Sequence, residues 1–505
     1  MRECDRLAIF EAGIPGIVLM ETASRAVAEK AREMLGGEVA GKRVVCLCGK
    51  GNNGGDGLAA ARHLSGWGAE VIVTLLCKPQ DLSGDAALNL DLFRSVGGAP
   101  IVIDSVEAIS KLSLDCDLIV DALLGTGFTP PASELYARLI KAANSSGKPI
   151  LAVDIPSGVT GNTGQVEDQA ITASATVTFG LLKPGVLLSP GRDFSGSVSI
   201  ADIGIPPGIV TSQSINLFQV EESDVRGVLP RLSPSAHKGD AGFVTILAGS
   251  PGLSGAATLA AEAAMRSGAG LVTVGVPKSL NSILEVKLTE AMTEPLPETA
   301  SGGLSKDAWE KVLSRLEWAD AAAFGPGVGM DEGTAELLEL ILLHTNKPLV
   351  IDADGLNLLA KKPELLRRLP GKTVLTPHPG EFSRLTGLSV RAITENRIEL
   401  AREYSRLWKV VIHLKGSPSL TAAPDGRAFV NSTGNEGMAT GGSGDVLTGI
   451  IAALLGGGMA PLEAAWAGGF IHGRAGDVAR KTVGARSLIA GDIISHLPTA
   501  LRNLI

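Results

Sequence analysis

The sequence predicts an α/β protein with two domains, and three observations support this fold class. The chain has 505 residues, more than one hydrophobic core usually supports. Apolar residues make up 45% of the chain and charged residues 19%, and 63 glycines are available for tight turns between strands and helices. Short β-rich runs alternate with helical stretches in both halves, which predicts a parallel sheet in each.

The first alternation follows a helical N-terminal cover at 5–35, which is interrupted at Gly13-Ile-Pro-Gly16. Strands are predicted at 43–49, 70–77, 100–104, 117–124 and 149–155, with helices at 57–66, 85–96 and 132–146. In an open parallel sheet the ligand site lies at the carboxyl ends of the strands, so the loops after these strands are the first candidates.

The second alternation begins after a Pro- and Gly-rich stretch, and we predict the domain junction near 213–222. Strands are predicted at 243–248, 271–276, 320–324, 348–352, 373–376 and 409–414, with helices at 255–267, 334–344 and 444–455. Because no repeat relates the two halves, they are predicted to be different folds joined in one chain.

Charge and cysteine content restrict the class of protein. A formal net charge of −8 without a clustered basic surface argues against nucleic-acid binding. The five cysteines contain no Cys-x-x-Cys pair, which favours a reducing compartment, and Cys46 and Cys48 are predicted core residues of one strand face. The chain has no apolar signal core and no long apolar run, so we expect a cytoplasmic protein that does not bind membranes.

The most informative motif is Thr-Gly-Gly-Ser-Gly-Asp-Val-Leu-Thr-Gly at 440–449. Its glycines allow close backbone approach to a ligand, and the N–H groups at the start of the following helix attract an anion. Asp445 is either a carboxylate favoured by the helix dipole or a general base for a hydroxyl that attacks a phosphate.

Four other loops in the second half carry polar or glycine-rich motifs. Lys415-Gly-Ser-Pro-Ser419 suits nucleotide phosphates or is an ordinary turn between strands. His378, within Thr376-Pro-His-Pro-Gly-Glu381, is either structural or catalytic. Phe324-Gly-Pro-Gly-Val-Gly329 allows a close ligand approach or forms a tight turn, and Ser254-Gly-Ala-Ala-Thr258 opens a helix that offers its N-terminus to a phosphate or ribose.

Three strand ends in the first half carry convergent oxygen ligands. The loop 49–57 follows the first strand and either cradles a phosphate or dinucleotide or only satisfies its own backbone. Asn53, Asp121 and Ser157 provide hard oxygen atoms, which suit potassium or magnesium and exclude soft metals. Asp154 remains free for acid/base chemistry.

These first-half motifs resemble the NAD(P)H-hydrate epimerase family over about 1–212: Asn-Asn-Gly-Gly-Asp-Gly, Val-Asp-Ala-Leu-Leu-Gly-Thr-Gly and Val-Asp-Ile-Pro-Ser-Gly occur in that order. The resemblance implies a Rossmann-like α/β/α sandwich. It implies potassium binding by Asn53, Asp121 and Ser157 and acid/base catalysis by Asp154. Substrate contacts are implied for Asn52, Asn53, Gly54, Gly55, Asp56, Gly125, Thr126, Gly127, Phe128, Thr129, Pro130, Pro131, Tyr136 and Asp154. Met20-Glu-Thr-Ala-Ser24 departs from the family's usual Met-Glu-Asn-Ala-Gly.

The second-half motifs look like ADP- or ATP-dependent NAD(P)H-hydrate dehydratases, which have a ribokinase-like fold, over about 222–505. The resemblance implies that the nucleotide contacts Lys415, Gly416, Ser417, Pro418, Ser419 and Gly444. Hydrate contacts are implied for Ala256, Gly327, His378 and Asp445, and our hypothesis is that Asp445 is the base. The whole chain thus resembles the bifunctional NAD(P)H-hydrate repair enzymes.

The resemblance implies substrates and cofactors as well. NADH and NADPH hydrates are the expected substrates, with potassium in the first domain and magnesium with ADP or ATP in the second. The second domain is expected to phosphorylate the S hydrate and eliminate phosphate, and we expect a homo-oligomer. One alternative is a hydroxymethylpyrimidine- or sugar-type kinase fused to a non-catalytic nucleotide-binding module.

Overall fold

A computed structural model describes residues 1–502 and residue 504. Contacts within the chain divide it into two units, Met1–Ile215 and Asn216–Ile505. Each unit is built on one sheet whose strands are mostly parallel and are joined by helices, so the predicted α/β class is confirmed. A strand at Leu217–Val220 belongs to the second sheet and precedes residue 222, the predicted start of the second domain.

The sheet of the first unit is parallel throughout and has the order β3-β2-β1-β4-β5-β6-β7. Its strands are β1 (Arg43–Cys48), β2 (Glu70–Leu75), β3 (Ile101–Val102), β4 (Leu118–Ala122), β5 (Ile150–Val153), β6 (Ala175–Phe179) and β7 (Ser197–Ala201). The strands predicted before residue 156 are present, whereas β6 and β7 were not predicted. Since β1, β4 and β5 are neighbours, the three predicted strand-end motifs share one edge of the sheet.

Helices cover both faces of this sheet. They are α1 (Arg2–Phe10), α2 (Gly16–Met34), α3 (Asn52–Gly66), α4 (Gly84–Ser95), α5 (Val106–Lys111), α6 (Glu134–Ser145), α7 (Pro184–Leu187), α8 (Gly191–Ser195) and α9 (Pro207–Ser212). Alternate residues of β1 enter different apolar clusters, with Cys46 and Cys48 in one and Val45 and Leu47 in the other. This period of two confirms that Cys46 and Cys48 are core residues.

The sheet of the second unit has the order β11-β10-β9-β12-β13-β14-β15-β16-β17-β8. Its strands are β8 (Leu217–Val220), β9 (Phe243–Leu247), β10 (Leu271–Pro277), β11 (Met292–Leu296), β12 (Ala321–Phe324), β13 (Leu349–Ile351), β14 (Thr373–Leu375), β15 (Val411–Leu414), β16 (Leu420–Ala422) and β17 (Ala428–Asn431). All pairs are parallel except β15 with β16 and β16 with β17. The carboxyl ends of β9, β12, β13, β14 and β15 therefore lie along one edge.

The helices of the second unit are α10 (Glu222–Val228), α11 (Ser254–Arg266), α12 (Asn281–Lys287), α13 (Trp309–Trp318), α14 (Glu332–His344), α15 (Asp354–Lys361), α16 (Pro379–Thr386), α17 (Val390–Glu395), α18 (Arg397–Trp408), α19 (Ser443–Gly456), α20 (Pro461–Val483) and α21 (Ala490–Arg502). Helix α19 is almost wholly buried and packs against α11. Within the described residues, no helix is both long and apolar enough to span a membrane.

Close packing of α19 against α11 predicts a stability effect at Gly449. A Cβ at this residue would lie 2.1 Å from the Ala260 carbonyl oxygen, so alanine should force the helices apart. We expect Gly449→Ala to lower the free energy of unfolding by about 1–3 kcal/mol, measured by urea denaturation.

Gly491→Ala is the matched control, because an added Cβ at this exposed position of α21 meets no atom within 4 Å. Alanine is the better helix former there, so this variant should be unchanged or slightly more stable. Equal stability of the two variants would contradict the proposed close contact.

Candidate functional sites

A cavity of about 570 Å³ lies in the first unit beside the loops that follow β1 and β4. Nine predicted substrate residues line it: Asn52, Asn53, Asp56, Gly125, Thr126, Gly127, Phe128, Tyr136 and Asp154. Five others do not belong to this lining: Gly54 and Gly55 are buried in α3, while Thr129, Pro130 and Pro131 continue the loop beyond it. The structure thus gathers most of the predicted substrate residues around one space.

Asp154 follows β5 in a left-handed backbone conformation, with φ of 64°. Its Oδ1 atom accepts hydrogen bonds from Lys183 Nζ at 2.5 Å, Phe179 N at 3.0 Å and Thr178 Oγ1 at 3.2 Å. The Lys183 ammonium also donates to the Phe179 carbonyl at 2.7 Å. Because both charged side chains line the cavity, the carboxylate is held in a fixed place and its charge is paired.

Asp121 and Ser157 meet behind this cavity at the ends of β4 and β5. The Ser157 hydroxyl donates to Asp121 Oδ1 at 2.6 Å, and its backbone N–H donates to Asp121 Oδ2 at 2.8 Å. Leu124 N donates to Ser157 Oγ at 2.8 Å, and the Leu124 carbonyl accepts from Asn53 Nδ2 at 3.1 Å. The three predicted cation ligands are therefore grouped around Leu124, and burial raises the pKa of Asp121 to about 6.

Asp56 is a second buried carboxyl group of the cavity. Burial raises its pKa well above the usual range, and the negative charge of Asp154 adds to the effect. The Ser24 hydroxyl donates to the Met20 carbonyl at 2.6 Å and lies 3.4 Å from Asp56 Oδ1. The segment where the sequence departs from the family pattern thus contacts the site through Ser24.

In the second unit, Asp445 lies in the first turn of α19, where the polar loop 433–442 ends. Gly442 precedes the helix with φ of 88°, a conformation that favours glycine. Burial raises the pKa of Asp445 to about 7, and the charge of Asp352 adds to this rise while Lys415 opposes it. The carboxyl group therefore titrates near neutral pH, as a general base requires.

Lys415 is paired with carboxylates beneath this turn. Its Nζ donates to Asp352 Oδ1 at 2.7 Å and lies 3.7 Å from Glu381 Oε2. A Cβ at Gly444 would lie 3.3 Å from Lys415 Nζ, so the predicted nucleotide residues Lys415 and Gly444 are neighbours. The ammonium and the helix N-terminus both attract an anion at this place.

The turn 415–419 joins the antiparallel strands β15 and β16, so it is a turn between strands as well as a candidate phosphate loop. Ser419 Oγ accepts a hydrogen bond from Asn431 Nδ2 at 3.3 Å, so this hydroxyl already has a partner in a neighbouring strand. Gly416 and Ser417 are exposed, and Pro418 is buried. The guanidinium of buried Arg397 lies beside Gly416 and donates to the Lys415 carbonyl at 3.3 Å.

His378 caps the N-terminus of α16. Its Nδ1 atom accepts from Gly380 N at 3.0 Å and Glu381 N at 3.3 Å, which leaves Nε2 to carry the proton of the neutral ring. Burial and the charge of Lys415 lower its pKa. The side chain is 50% exposed, so the cap is compatible with a ligand contact through the opposite ring edge.

Ala256, in the first turn of α11, lies next to Gly327, in the loop after β12. A Cβ at Gly327 would lie 3.2 Å from the Ala256 Cβ. One turn further along α11, Leu259 would be 2.5 Å from a Cβ at Gly442. Helix α11 thus contacts both Gly327, a predicted hydrate-binding residue, and the glycine turn before Asp445.

Sequence reasoning missed three charged residues of these sites: Lys183, Asp352 and Arg397. Asp352 could have been found, because it is the last residue of a predicted strand. An aspartate at the end of a strand is the same signal that identified Asp121 and Asp154. Lys183 follows β6, which was not predicted, and Arg397 begins α18 with no motif around it.

Comparisons with known proteins give family matches in both halves of the chain. A family model described as NAD(P)H-hydrate dehydratase matches residues 244–499, and one described as YjeF-related protein N-terminus matches residues 16–185. The bifunctional NAD(P)H-hydrate repair enzyme of Moorella thermoacetica is 46% identical over 507 residues, which cover 100% of this chain and 96% of that relative.

Two solved structures resemble the second unit. An ADP/ATP-dependent NAD(P)H-hydrate dehydratase from Bacillus subtilis, co-crystallized with ATP and Mg²⁺, is 31% identical with a TM-score of 0.50 and covers 58% of this chain and 100% of its own. A ribokinase-like superfamily protein from Enterococcus faecalis is 26% identical with a TM-score of 0.51 and covers 58% of this chain and 98% of its own. The ribokinase-like fold is thus confirmed, and the full-length similarity to the Moorella thermoacetica enzyme shows that the chain belongs to the family of bifunctional NAD(P)H-hydrate repair enzymes.

Proposed function

We propose that the chain repairs hydrated nicotinamide cofactors at two active sites. The first unit interconverts the R and S hydrates of NADH and NADPH, and the second dehydrates the S hydrate with ADP or ATP. The observation that carries this proposal is the 46% identity to a bifunctional repair enzyme, which extends over both units. Interconversion makes the R hydrate available to a dehydratase that accepts only the S form.

Asp154 is the acid/base group of the epimerase site. Its Oδ1 atom receives three hydrogen bonds, and within the described residues none is directed at Oδ2. This leaves Oδ2 to exchange a proton with the substrate in the cavity. The loop residues 52–56 and 125–131, with Tyr136, hold the hydrate around it.

A potassium ion suits the cluster of Asn53, Asp121 and Ser157. Their side-chain oxygens are hard ligands, and one carboxylate among neutral oxygens balances a single positive charge. Buried Asp121 has no lysine or arginine among its described hydrogen-bond partners, so a cation would offset the cost of burying its charge. When bound, potassium would fix the Leu124 loop at the edge of the cavity.

The second site suits phosphorylation followed by elimination. Hydroxide leaves the C6 atom of the hydrate poorly, whereas phosphate is a better leaving group. The nucleotide phosphates lie against Lys415, the turn that follows it and Gly444, while Ala256, Gly327 and His378 hold the hydrate. Asp445 accepts the proton of the C6 hydroxyl as the hydroxyl oxygen attacks the terminal phosphate, and ADP leaves from ATP, or AMP from ADP. The lone pair of the ring nitrogen then expels phosphate from C6, and loss of a proton from C5 to water restores the double bond between C5 and C6.

Magnesium is the expected partner of ADP or ATP in this reaction. Among the described residues, no three side chains of histidine, cysteine, aspartate or glutamate converge as a metal site. We propose that the nucleotide phosphates would hold the magnesium ion, which would reduce their negative charge when bound.

We propose that the epimerase domain spans residues 1–212 and that the dehydratase domain, predicted at 222–505, also includes strand β8, which pairs with β17 of the second sheet. We propose a cytoplasmic homo-oligomer as the working form. The free thiols of Cys4, Cys46, Cys48, Cys77 and Cys116 support a reducing compartment.

Replacement of Asp154 with alanine should slow interconversion of the R and S hydrates by about 10²-fold or more, because the acid/base group is lost. Dehydration of pure S hydrate should continue at the wild-type rate. Chiral chromatography without nucleotide measures the first activity, and Asp168→Ala, which alters an exposed carboxylate, is the control. Parallel loss of both activities in Asp154→Ala would count against separate sites.

An Asp445→Asn variant should bind nucleotide but lose dehydration by about 10²–10⁴-fold, because an amide does not accept the hydroxyl proton. The readout is the recovery of reduced-cofactor absorbance from S hydrate. Asp492→Asn changes the corresponding first-turn position of α21 and should remain active. Near-wild-type turnover of Asp445→Asn would exclude Asp445 as the base.

Dehydration should depend on pH through the same carboxylate. Since burial and Asp352 raise the pKa of Asp445 to about 7, the base is protonated below that pH and ionised above it. The ratio kcat/KM, measured with saturating nucleotide, should therefore rise with pH, reach half of its maximum near pH 7 and level off above about pH 8. A flat profile between about pH 6 and pH 8 would contradict this role.

A further inference from the structure

The carboxylate of Asp352 joins three elements at the carboxyl edge of the second sheet. It follows β13 and is only 1% exposed. Its Oδ1 atom accepts from Lys415 Nζ at 2.7 Å, and its Oδ2 atom accepts from Thr448 Oγ1 at 2.7 Å. One side chain thus connects the end of β13 with the end of β15 and with helix α19.

These contacts lie directly beneath the glycine turn. Thr448 is four residues after Gly444, on the same face of α19. A Cβ at Gly444 would lie 3.3 Å from Lys415 Nζ and 3.6 Å from Asp352 Oδ2. Asp352 therefore determines both where the ammonium lies and how α19 approaches it.

The backbone after Asp352 supports this arrangement. Ala353 has φ of 49° and ψ of −119°, a conformation that residues with a side chain rarely adopt. It separates Asp352 from Asp354, whose Oδ2 atom accepts from Gly329 N at 3.0 Å. Asp354 thus holds the loop after β12 through Gly329, and Asp352, two residues before it, holds the first turns of α19 through Thr448.

The charges that face Asp445 come from several elements. Asp352 and Asp354 follow β13, Glu381 lies in α16, and Lys415 follows β15. His472 Nε2 lies 3.2 Å from Ser443 Oγ, and the charge of Lys415 acts on both His472 and His378. Burial is the main cause that lowers the pKa of each histidine. Asp352 raises the pKa of Asp445, whereas Lys415 lowers it.

We propose that Asp352 is a positioning residue of the dehydratase site, which holds the Lys415 ammonium under the glycine turn and fixes α19 through Thr448. It acts through these partners and does not touch the hydrate. This inference rests on the proposed dehydratase function, in which Lys415 and Gly444 receive the phosphates and Asp445 is the base.

The test compares Asp352→Asn, Thr448→Val and Lys415→Met with wild type. Asp352→Asn should lower kcat for S hydrate by about 10²-fold, since misplacement of a charged group by about 1 Å has this effect. In Asp352→Asn the acid limb, the part of the kcat/KM profile that rises with pH, should move to lower pH, because a negative neighbour of Asp445 is removed. In Lys415→Met the acid limb should move to higher pH, because a positive neighbour is removed. Asp320→Asn, at the opposite end of β12, is the control and should behave as wild type.

Thr448→Val keeps all charges and removes one hydrogen bond, so it serves if Asp352→Asn does not fold. It should lower kcat several-fold and leave the acid limb in place. Wild-type kcat in every one of these two variants that folds would overturn the inference, and so would an unchanged pH dependence of kcat/KM in folded Asp352→Asn.

A separate readout distinguishes failure of the inference from failure of the proposed function. Infrared difference spectra between wild type and Asp445→Asn follow the Asp445 titration without any substrate. If wild type does not dehydrate S hydrate, the proposed function is rejected, but the role of Asp352 is not yet decided. That role is decided by the titration: the pKa of Asp445 should be lower in Asp352→Asn than in wild type, and an unchanged pKa rejects the role of Asp352.

Discussion

A buried ion pair between lysine and aspartate at the end of a parallel strand determines the geometry of each site. In the first unit Lys183 pairs with Asp154 after β5, and in the second Lys415 pairs with Asp352 after β13. Isolated charges are expensive to bury, and removing one partner of such a pair costs about 3–5 kcal/mol. Each lysine is therefore confined to the place where its aspartate lies, and the sheet fixes the aspartate. The order of the strands in each sheet thus determines where the lysine charge of each site lies.

The two sites use this pairing in different ways. In the first, the ion pair includes the proposed acid/base group itself, and a second carboxyl group, Asp56, has its pKa raised by burial in the same cavity. In the second, the ion pair lies beside the proposed base, and Asp352 and Lys415 have opposite effects on the pKa of Asp445. A proton exchange and a phosphoryl transfer thus need different partners around similar strand-end carboxylates. This difference agrees with one chain that carries two chemically distinct activities.

Much of this organisation was readable from sequence because it is local. Strand patterns followed by Asp121, Asp154 or Lys415 placed these residues at strand ends, and the glycine cluster placed Asp445 at a helix start. The pairing of Lys183 with Asp154 depends on β6 lying next to β5, which no local pattern indicates. The contact between Asp352 and Lys415 likewise depends on the order of β13, β14 and β15. Strand β8 was missed because its partner β17 is distant in sequence, and its composition alone does not distinguish it from a linker.

Pure R hydrate supplied with ATP or ADP gives the most direct test of the account, because its repair requires both sites in one chain. Recovery of reduced-cofactor absorbance is followed with and without nucleotide, and chiral chromatography measures the two hydrates. Two active sites in one chain should give full recovery with nucleotide, and without nucleotide only a mixture of R and S hydrates. An R hydrate that stays unchanged would contradict the epimerase assignment. A phosphorylated product that accumulates without elimination would contradict the dehydratase assignment and favour a small-molecule kinase.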